Sequence, residues 1–178
     1  MAALLGLSFE QAEAAASKAA DGQVCQAAND NDPAQVVISG HKEAVERAIE
    51  IAKEMGARRA VALPVSAPFH CALMAPAADV MAGALADVDI AAPKVPLVAN
   101  VFATAVSDPD DIRKLLVQQV TGSVRWRESV AWMADNGVTD FWEVGAGKAL
   151  SGMIRRIAKE AETRAVGTPE DVSAALAG

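Results

Sequence analysis

The sequence is poor in the residues that usually mark a metal centre or a disulfide framework. Of its 178 residues only two are cysteine and two are histidine, tyrosine is absent, and aromatic residues make up 4%. Cys25 and Cys71 lie far apart in the chain without the spacing of metal ligands, so neither disulfides nor a zinc site are predicted. A reducing, cytoplasmic setting is the resulting expectation.

Long hydrophobic runs and an excess of positive charge are also missing. No window is both apolar and uncharged over the ~20 residues that a membrane span requires, so no membrane association is predicted. The formal net charge of −7 argues against nucleic-acid binding, which needs a basic face. The hydrophobic content of 52% instead predicts a chain that folds around a core.

Over residues 1–65, strand and helix signals alternate in the order β-α-β-β-α-β. Ser8-Phe9-Glu10-Gln11 is a capping-box pattern that opens the first helix, and apolar residues at helical spacing predict a second helix from Lys42 to Met55. Asn29-Asp30-Asn31-Asp32-Pro33 is predicted to form the turn between the second and third strands. This order is that of the ferredoxin-like unit, which we predict as a small subdomain.

Residues 66–178 also alternate between helical and strand patterns, which predicts α/β architecture. A helix over Cys71–Val88, a strand over Pro96–Val101 and a strand over Val138–Val144 are among the predicted elements. Two or three strands are fewer than a complete doubly wound sheet contains. We therefore expect the remaining strands of this second subdomain to lie outside the chain.

His70 is the strongest candidate for chemistry. It lies in a loop between a predicted strand and a predicted helix, where α/β proteins place catalytic groups, and an imidazole transfers protons near neutral pH. A hydrogen-bonded packing histidine is an equally good interpretation. His41, at the start of a helix, is predicted to be a solvated first-turn residue.

No nucleophile for His70 is evident. Cys71 is its sequence neighbour, and neighbouring side chains diverge, so a small core residue is the better interpretation. A serine would need the elbow Gly-x-Ser-x-Gly, and neither Ser39 nor Ser151 has the preceding glycine. The sequence thus contains a candidate base without its partner.

Four stretches together resemble the bacterial malonyl-CoA:acyl carrier protein transacylases of type II fatty acid synthesis. They are Asn29-Asp-Asn-Asp-Pro-Ala-Gln-Val-Val-Ile-Ser-Gly40, Leu63-Pro-Val-Ser-Ala-Pro-Phe-His-Cys-Ala-Leu-Met74, Pro96-Leu-Val-Ala-Asn-Val101 and Glu143-Val-Gly-Ala-Gly-Lys-Ala-Leu-Ser-Gly152. The resemblance implies an α/β fold in which residues 1–65 are the ferredoxin-like small subdomain. Residues 66–178 would be the C-terminal part of an α/β-hydrolase-like acyltransferase subdomain.

The resemblance also implies roles for individual residues at the reaction centre. His70 matches the catalytic histidine, and Gln119 matches the position whose main-chain carbonyl orients that histidine. Phe69 matches the Phe-His form that is associated with selection of malonyl over methylmalonyl groups.

Two further pairs of residues match positions that bind substrate. Arg58 and Arg59 match a basic pair that holds CoA or the carrier protein, whereas the residues alone favour a solvated edge over a clamp for phosphate or acidic groups. Asn29 and Asn31 match asparagines that line the cleft between the subdomains, although both can simply set a turn conformation.

The implied reaction transfers malonyl from malonyl-CoA to the phosphopantetheine thiol of acyl carrier protein, without a metal or a cofactor of the enzyme's own. The family's Gly-His-Ser-Leu-Gly elbow, its malonyl-binding arginine and its oxyanion-hole glutamine are expected upstream of Met1. We therefore expect the chain to be a C-terminal part that is inactive alone. The alternatives are a non-catalytic module that binds CoA or carrier protein, and a fragment whose apolar strands pair with another chain.

Overall fold

The computed structural model describes residues 1–177 and divides the chain into two compact units, Met1–Ser129 and a unit that begins at Val130. Helix α5 (Trp126–Asp135) crosses this boundary. The first unit contains β1 (Ala2–Leu5), α1 (Phe9–Ala20), β2 (Cys25–Asp32), β3 (Gln35–Gly40), α2 (Lys42–Glu54), β4 (Arg59–Ala62), α3 (Ala75–Ala86), β5 (Leu97–Ala99), β6 (Thr104–Val106) and α4 (Pro109–Thr121). The second contains β7 (Asp140–Val144), α6 (Ala149–Ile157), β8 (Glu162–Val166) and α7 (Pro169–Ala177).

The first four strands form one antiparallel sheet in the order β2-β3-β1-β4. This confirms the predicted ferredoxin-like unit, whose two helices cover one face of the sheet. Alanines supply much of this core, so helix and strand backbones approach closely. The buried residues include Ala2, Leu4, Val36 and Ile38 from the strands and Ala12, Ala16, Ala48 and Ala52 from the helices.

Local hydrogen bonds explain where the two helices of this unit begin and end. The Ser8 hydroxyl accepts from the Gln11 backbone N–H and the Gln11 side chain accepts from the Ser8 N–H, which completes the predicted capping box. At the other end of α1, the Arg47 guanidinium donates to the carbonyl oxygens of Ala19 and Ala20. His41 precedes α2 and accepts from the Val24 N–H at 2.9 Å, so it is partly buried and held rather than fully solvated.

The predicted turn at residues 29–33 is wrong, because β2 continues through Asn29 to Asp32. Two register shifts between β2 and β3 accommodate the extra residues. Asp30 and Asp32 are buried, and the Asp32 carboxylate accepts from the Ala34 N–H at 2.9 Å. The chain therefore reverses at Pro33 and Ala34, after the last of the Asn and Asp residues that were predicted to form the turn.

Elsewhere the described residues differ from the predictions mainly in the position of element ends. The helix predicted from Cys71 begins at Ala75, after a single 3-10 turn over Ala72–Met74. The strand β5 pairs with β6, an antiparallel hairpin that the sequence patterns did not predict. The strands β7 and β8 pair in parallel, and α6 lies between them in the chain.

The structure confirms an α/β fold with mixed strand pairing. The subdomain boundary that we predict between residues 65 and 66 stays a prediction. Within residues 1–177, no helix is both long enough and apolar enough to span a bilayer.

Candidate active site

The face of the first sheet that points away from α1 and α2 carries several of the candidate residues. Residues opposite each other in an antiparallel pair share a face, and Arg59 is opposite Leu5, while Asn29 is opposite Val37. Gln26 is opposite Ser39 in the same alternation. All of these positions alternate with the residues that pack against α1 and α2, so their side chains belong to the other face.

His70 lies in a tight turn after β4, in a conformation that few non-glycine residues adopt. Its φ is +58°, which costs about 1–3 kcal/mol and persists only where the surroundings hold it. The Cys71 thiol donates to the Pro68 carbonyl at 3.1 Å. On the other side, the Ala72 N–H donates to the Gln26 side-chain oxygen at 2.7 Å. The turn is thus held from within the loop by Pro68 and from β2 by Gln26.

The His70 imidazole contacts the residue that the resemblance paired with it. Its Nδ1 lies 3.0 Å from the main-chain oxygen of Gln119, near the end of α4. Since a carbonyl oxygen can only accept, Nδ1 carries the hydrogen and the Nε2 lone pair of the neutral ring is free. This is the tautomer that a general base needs when it takes a proton at Nε2.

The end of α4 is tied to the edge strand β2. The Gln119 side chain donates to the Gly122 carbonyl at 2.9 Å, and the Ser123 hydroxyl donates to the carbonyl of Ala27. Val124 then lies alongside β2, donating to the Ala28 carbonyl and accepting from the Asp30 N–H, each at 2.8 Å. The position of the Gln119 carbonyl therefore depends on the sheet.

An ion pair between Asp30 of β2 and Arg127 of α5 also links β2 to the segment that follows α4. The Asp30 side chain is 1% exposed and lies 2.7 Å from a terminal nitrogen of Arg127, whose side chain is 35% exposed. The Arg127 Nε also donates to both Asp30 oxygens, at 2.9 and 3.0 Å. Burial raises the pKa of the Asp30 carboxyl, and this effect outweighs the lowering of that pKa by the guanidinium.

Arg58 and Arg59 lie at the far end of the sheet from His70. Both are exposed, and Arg59 occupies the row of Leu5 and Gln35, whereas the His70 turn is attached at the row of Gln26 and Ser39. These two rows are four positions apart along β3, which is about 13 Å at ~3.3 Å per residue. The basic pair therefore does not contact the imidazole, although Arg59 belongs to the same sheet that holds the His70 turn.

The remaining candidates, the two asparagines and Phe69, lie in β2 and in the His70 turn. Asn29 and Asn31 are half-buried in β2 rather than in a turn, and Phe69 is 40% exposed directly beside His70. Cys71 is fully buried, which agrees with a packing role and not with a nucleophile. Within the described residues there is no cluster of three or more side chains suited to a metal ion.

Sequence patterns missed three residues that support His70. Gln26, Ser123 and Arg127 have no motif of their own, and each contacts a residue at least 46 positions away. The only available signal was indirect: Asp30 and Asp32 alternate with asparagines before a β-branched run, a pattern that also fits a polar edge strand. The roles of His70, Gln119, Phe69 and the binding residues stay predictions.

No protein-family model matches the chain, but individual proteins match it closely. The malonyl CoA-acyl carrier protein transacylase of Escherichia coli K12 is 48% identical over 176 residues, which is 99% of this chain and 57% of that protein. An acyl-carrier-protein S-malonyltransferase structure from Bartonella henselae is 53% identical with a TM-score of 0.94, and the match covers 99% of this chain and 56% of that one.

A third match comes from a solved structure described as a type II PKS acyl-carrier protein in complex with its malonyl-transacylase. The matched chain is 40% identical to this one with a TM-score of 0.95, and the match covers 99% of this chain and 57% of that one. The chain therefore spans somewhat more than half the length of the proteins that it matches. Over 99% of its own length, it is a homologue of the bacterial malonyl CoA-acyl carrier protein transacylases.

Proposed function

We propose that this chain supplies the general base and the substrate-binding face for malonyl transfer from malonyl-CoA to the phosphopantetheine thiol of acyl carrier protein. The observation that carries the proposal is the 3.0 Å contact between His70 Nδ1 and the Gln119 carbonyl, because it leaves Nε2 free to take a proton. The homology supports the choice of substrate, and its named relatives act on malonyl groups and acyl carrier protein.

In the first half-reaction, His70 Nε2 takes the proton of a serine hydroxyl as its oxygen attacks the thioester carbonyl of malonyl-CoA. The carbon–sulfur bond breaks, and the CoA sulfur leaves with the proton that Nε2 returns. The products are a malonyl-serine ester and free CoA. The Gln119 carbonyl, hydrogen-bonded to Nδ1–H, stabilises the transient imidazolium.

The second half-reaction repeats the proton transfers with the carrier protein's thiol. His70 Nε2 takes the thiol proton, the sulfur attacks the ester carbonyl, and the serine oxygen leaves with the proton from Nε2. We propose that the serine belongs to a Gly-His-Ser-Leu-Gly segment outside these 178 residues, because no Gly-x-Ser-x-Gly occurs among them. The isolated chain is then inactive.

The remaining roles are part of the same proposal. The exposed guanidinium groups of Arg58 and Arg59 bind phosphate or acidic groups of CoA or of the carrier protein, at the other end of the face that holds His70. Asn29 and Asn31 line the cleft, and the Phe69 ring occupies the space that an α-methyl group would need. The free buried cysteines fit a reducing compartment, so we place the reaction in the cytoplasm.

A chimera tests the proposal directly. The part of the Escherichia coli transacylase that this chain does not match would be joined upstream of Met1, and malonyl transfer from malonyl-CoA to holo acyl carrier protein measured by mass spectrometry. We expect transfer by the chimera and none by the 178-residue chain purified from a host lacking transacylase background. A folded chimera without transfer would contradict the proposal, and turnover by the chain alone would contradict the need for a separate serine.

A non-catalytic binding module is the second candidate, favoured by the lack of a serine elbow among the 178 residues. It differs from the first in one measurable way. As a binding module, the chain alone would bind CoA or carrier protein in calorimetry, while the folded chimera would show no turnover.

Replacing Arg59 with alanine in the chimera should raise KM for malonyl-CoA or for acyl carrier protein while kcat stays nearly constant. Loss of one charge-assisted contact of about 1.4 kcal/mol corresponds to a tenfold change. Steady-state kinetics with each substrate varied in turn identifies which of the two Arg59 binds. Lys18→Ala, an equal charge change at an exposed position of α1, is the control and should leave both KM values unchanged. Equal effects of the two substitutions would contradict a specific role for Arg59.

A further inference from the structure

We infer that Gln26 is a positioning residue for His70, acting from the edge strand β2 through the turn that carries the imidazole. The inference rests on the proposed role of His70 as the base. Gln26 itself does not contact the ring: its side-chain oxygen accepts from the backbone N–H of Ala72, two residues further along, at 2.7 Å.

The backbone of the His70 turn explains why this hydrogen bond matters. A left-handed residue that is not glycine returns to a more common conformation unless the peptide groups on both sides are held. Across His70, the Cys71 thiol donates to the carbonyl of Pro68 and closes the turn. After it, the Gln26 oxygen is the side-chain acceptor that ties the chain to the sheet. Without that acceptor, the peptide groups that follow His70 lose their link to β2.

The strand β2 also holds the other partner of the imidazole. Its carbonyls at Ala27 and Ala28 accept from Ser123 and Val124, and these residues follow the helix end at which Gln119 accepts from His70. Adjacent residues of one strand therefore position both the imidazole and the carbonyl that selects its tautomer. A shift of the His70 turn relative to β2 lengthens the Nδ1 contact, and the ring then has no fixed tautomer.

The tautomer of His70 is measurable because the chain has only two histidines. Long-range ¹H–¹⁵N spectra of the uniformly labelled chain distinguish Nδ1–H from Nε2–H in neutral imidazoles, and a His41→Asn variant assigns the two rings. We expect His70 to be mainly Nδ1–H in the wild-type chain. In Gln26→Ala, the spectra should show a mixture of both tautomers for His70 and no change for His41.

Two further variants make the result decisive. Gln26→Glu keeps an acceptor oxygen and should restore the Nδ1–H form, whereas Gln118→Ala, an exposed neighbour of Gln119, should leave the spectrum of His70 as in the wild type. An unchanged tautomer in Gln26→Ala overturns the inference. If Gln26→Ala does not fold, Gln26→Glu decides: a retained Nδ1–H form supports the inference, and a mixture contradicts it.

Kinetics of the chimera provide the second readout. Loss of one positioning hydrogen bond should lower kcat about fivefold with KM for malonyl-CoA unchanged, and Gln26→Glu should recover most of this loss. The spectra need no turnover, so the two proposals fail separately. A shifted tautomer with an inactive parent chimera argues against the proposed function, while an active chimera with an unshifted tautomer argues against the role of Gln26.

Discussion

Replacing His70 with alanine in the chimera is expected to reduce kcat for malonyl transfer by roughly three orders of magnitude or more. The reason is that both half-reactions require a base at the same place, first for the serine hydroxyl and then for the carrier thiol. Without the imidazole, the serine hydroxyl keeps its proton and is only a weak nucleophile. The change should therefore appear in kcat rather than in KM for malonyl-CoA.

The measurement should separate the two half-reactions. Formation of the malonyl-serine ester can be followed by intact-protein mass spectrometry before carrier protein is added, and transfer afterwards. We expect both steps to be slow in His70→Ala. The matched control is His41→Asn, which removes the other histidine but keeps an acceptor for the Val24 N–H. A His70→Ala chimera that forms the ester at the normal rate would contradict the assignment of His70 as the base.

The chain should tolerate the loss of Asp30 better than the loss of Arg127, although the two side chains form one ion pair. In Arg127→Met, a carboxylate that is 1% exposed loses its partner, and a broken buried pair costs about 3 kcal/mol or more. In Asp30→Asn, the remaining guanidinium is 35% exposed and can turn towards water, so about 1 kcal/mol is expected. Urea unfolding of each variant measures both changes.

The double variant and the pH dependence of unfolding test the cause of this asymmetry. Asp30→Asn combined with Arg127→Met should lose less stability than the sum of the single changes, because no buried charge is left unpaired. Burial already raises the pKa of Asp30, and loss of Arg127 removes an effect that lowers it. The ionised carboxylate then destabilises the fold above its raised pKa, so Arg127→Met should recover stability as the pH falls towards about 4.

The exposed pair of Lys114 and Asp111, 2.9 Å apart on α4, is the control for this comparison. Lys114→Met should cause no measurable loss of stability. Equal destabilisation by Arg127→Met and Asp30→Asn would show that burial of the carboxylate is not what decides the outcome.

Much of the first unit could be predicted because its signals are local. The capping box at Ser8 determines the start of α1 through contacts within four residues, and the apolar stripe of α2 reports its core face directly. The strand alternation likewise identified the sheet of the ferredoxin-like unit. The resemblance then supplied the pairing of His70 with Gln119, 49 positions apart, which no local pattern contains.

The errors fall where distant contacts outweigh local preference. Asn and Asp favour turns when their side chains bond to nearby backbone, and this preference predicts a reversal at residues 29–33. In the folded chain, Asp30 instead pairs with Arg127, 97 positions away, and the Asp30 N–H bonds to Val124. These contacts extend β2 by four residues beyond the point where its composition indicates an end.

The sequence by itself determined the helices and strands of the small unit, the candidate base and the absence of a serine elbow among these residues. Those features depend on residue type and on spacing within a few turns or one strand. Tertiary structure decided the tautomer of His70, its left-handed turn and the support of both by β2. Each of these depends on hydrogen bonds between segments that are distant in the chain, and such bonds form only when the sheet, the turn and the end of α4 are assembled.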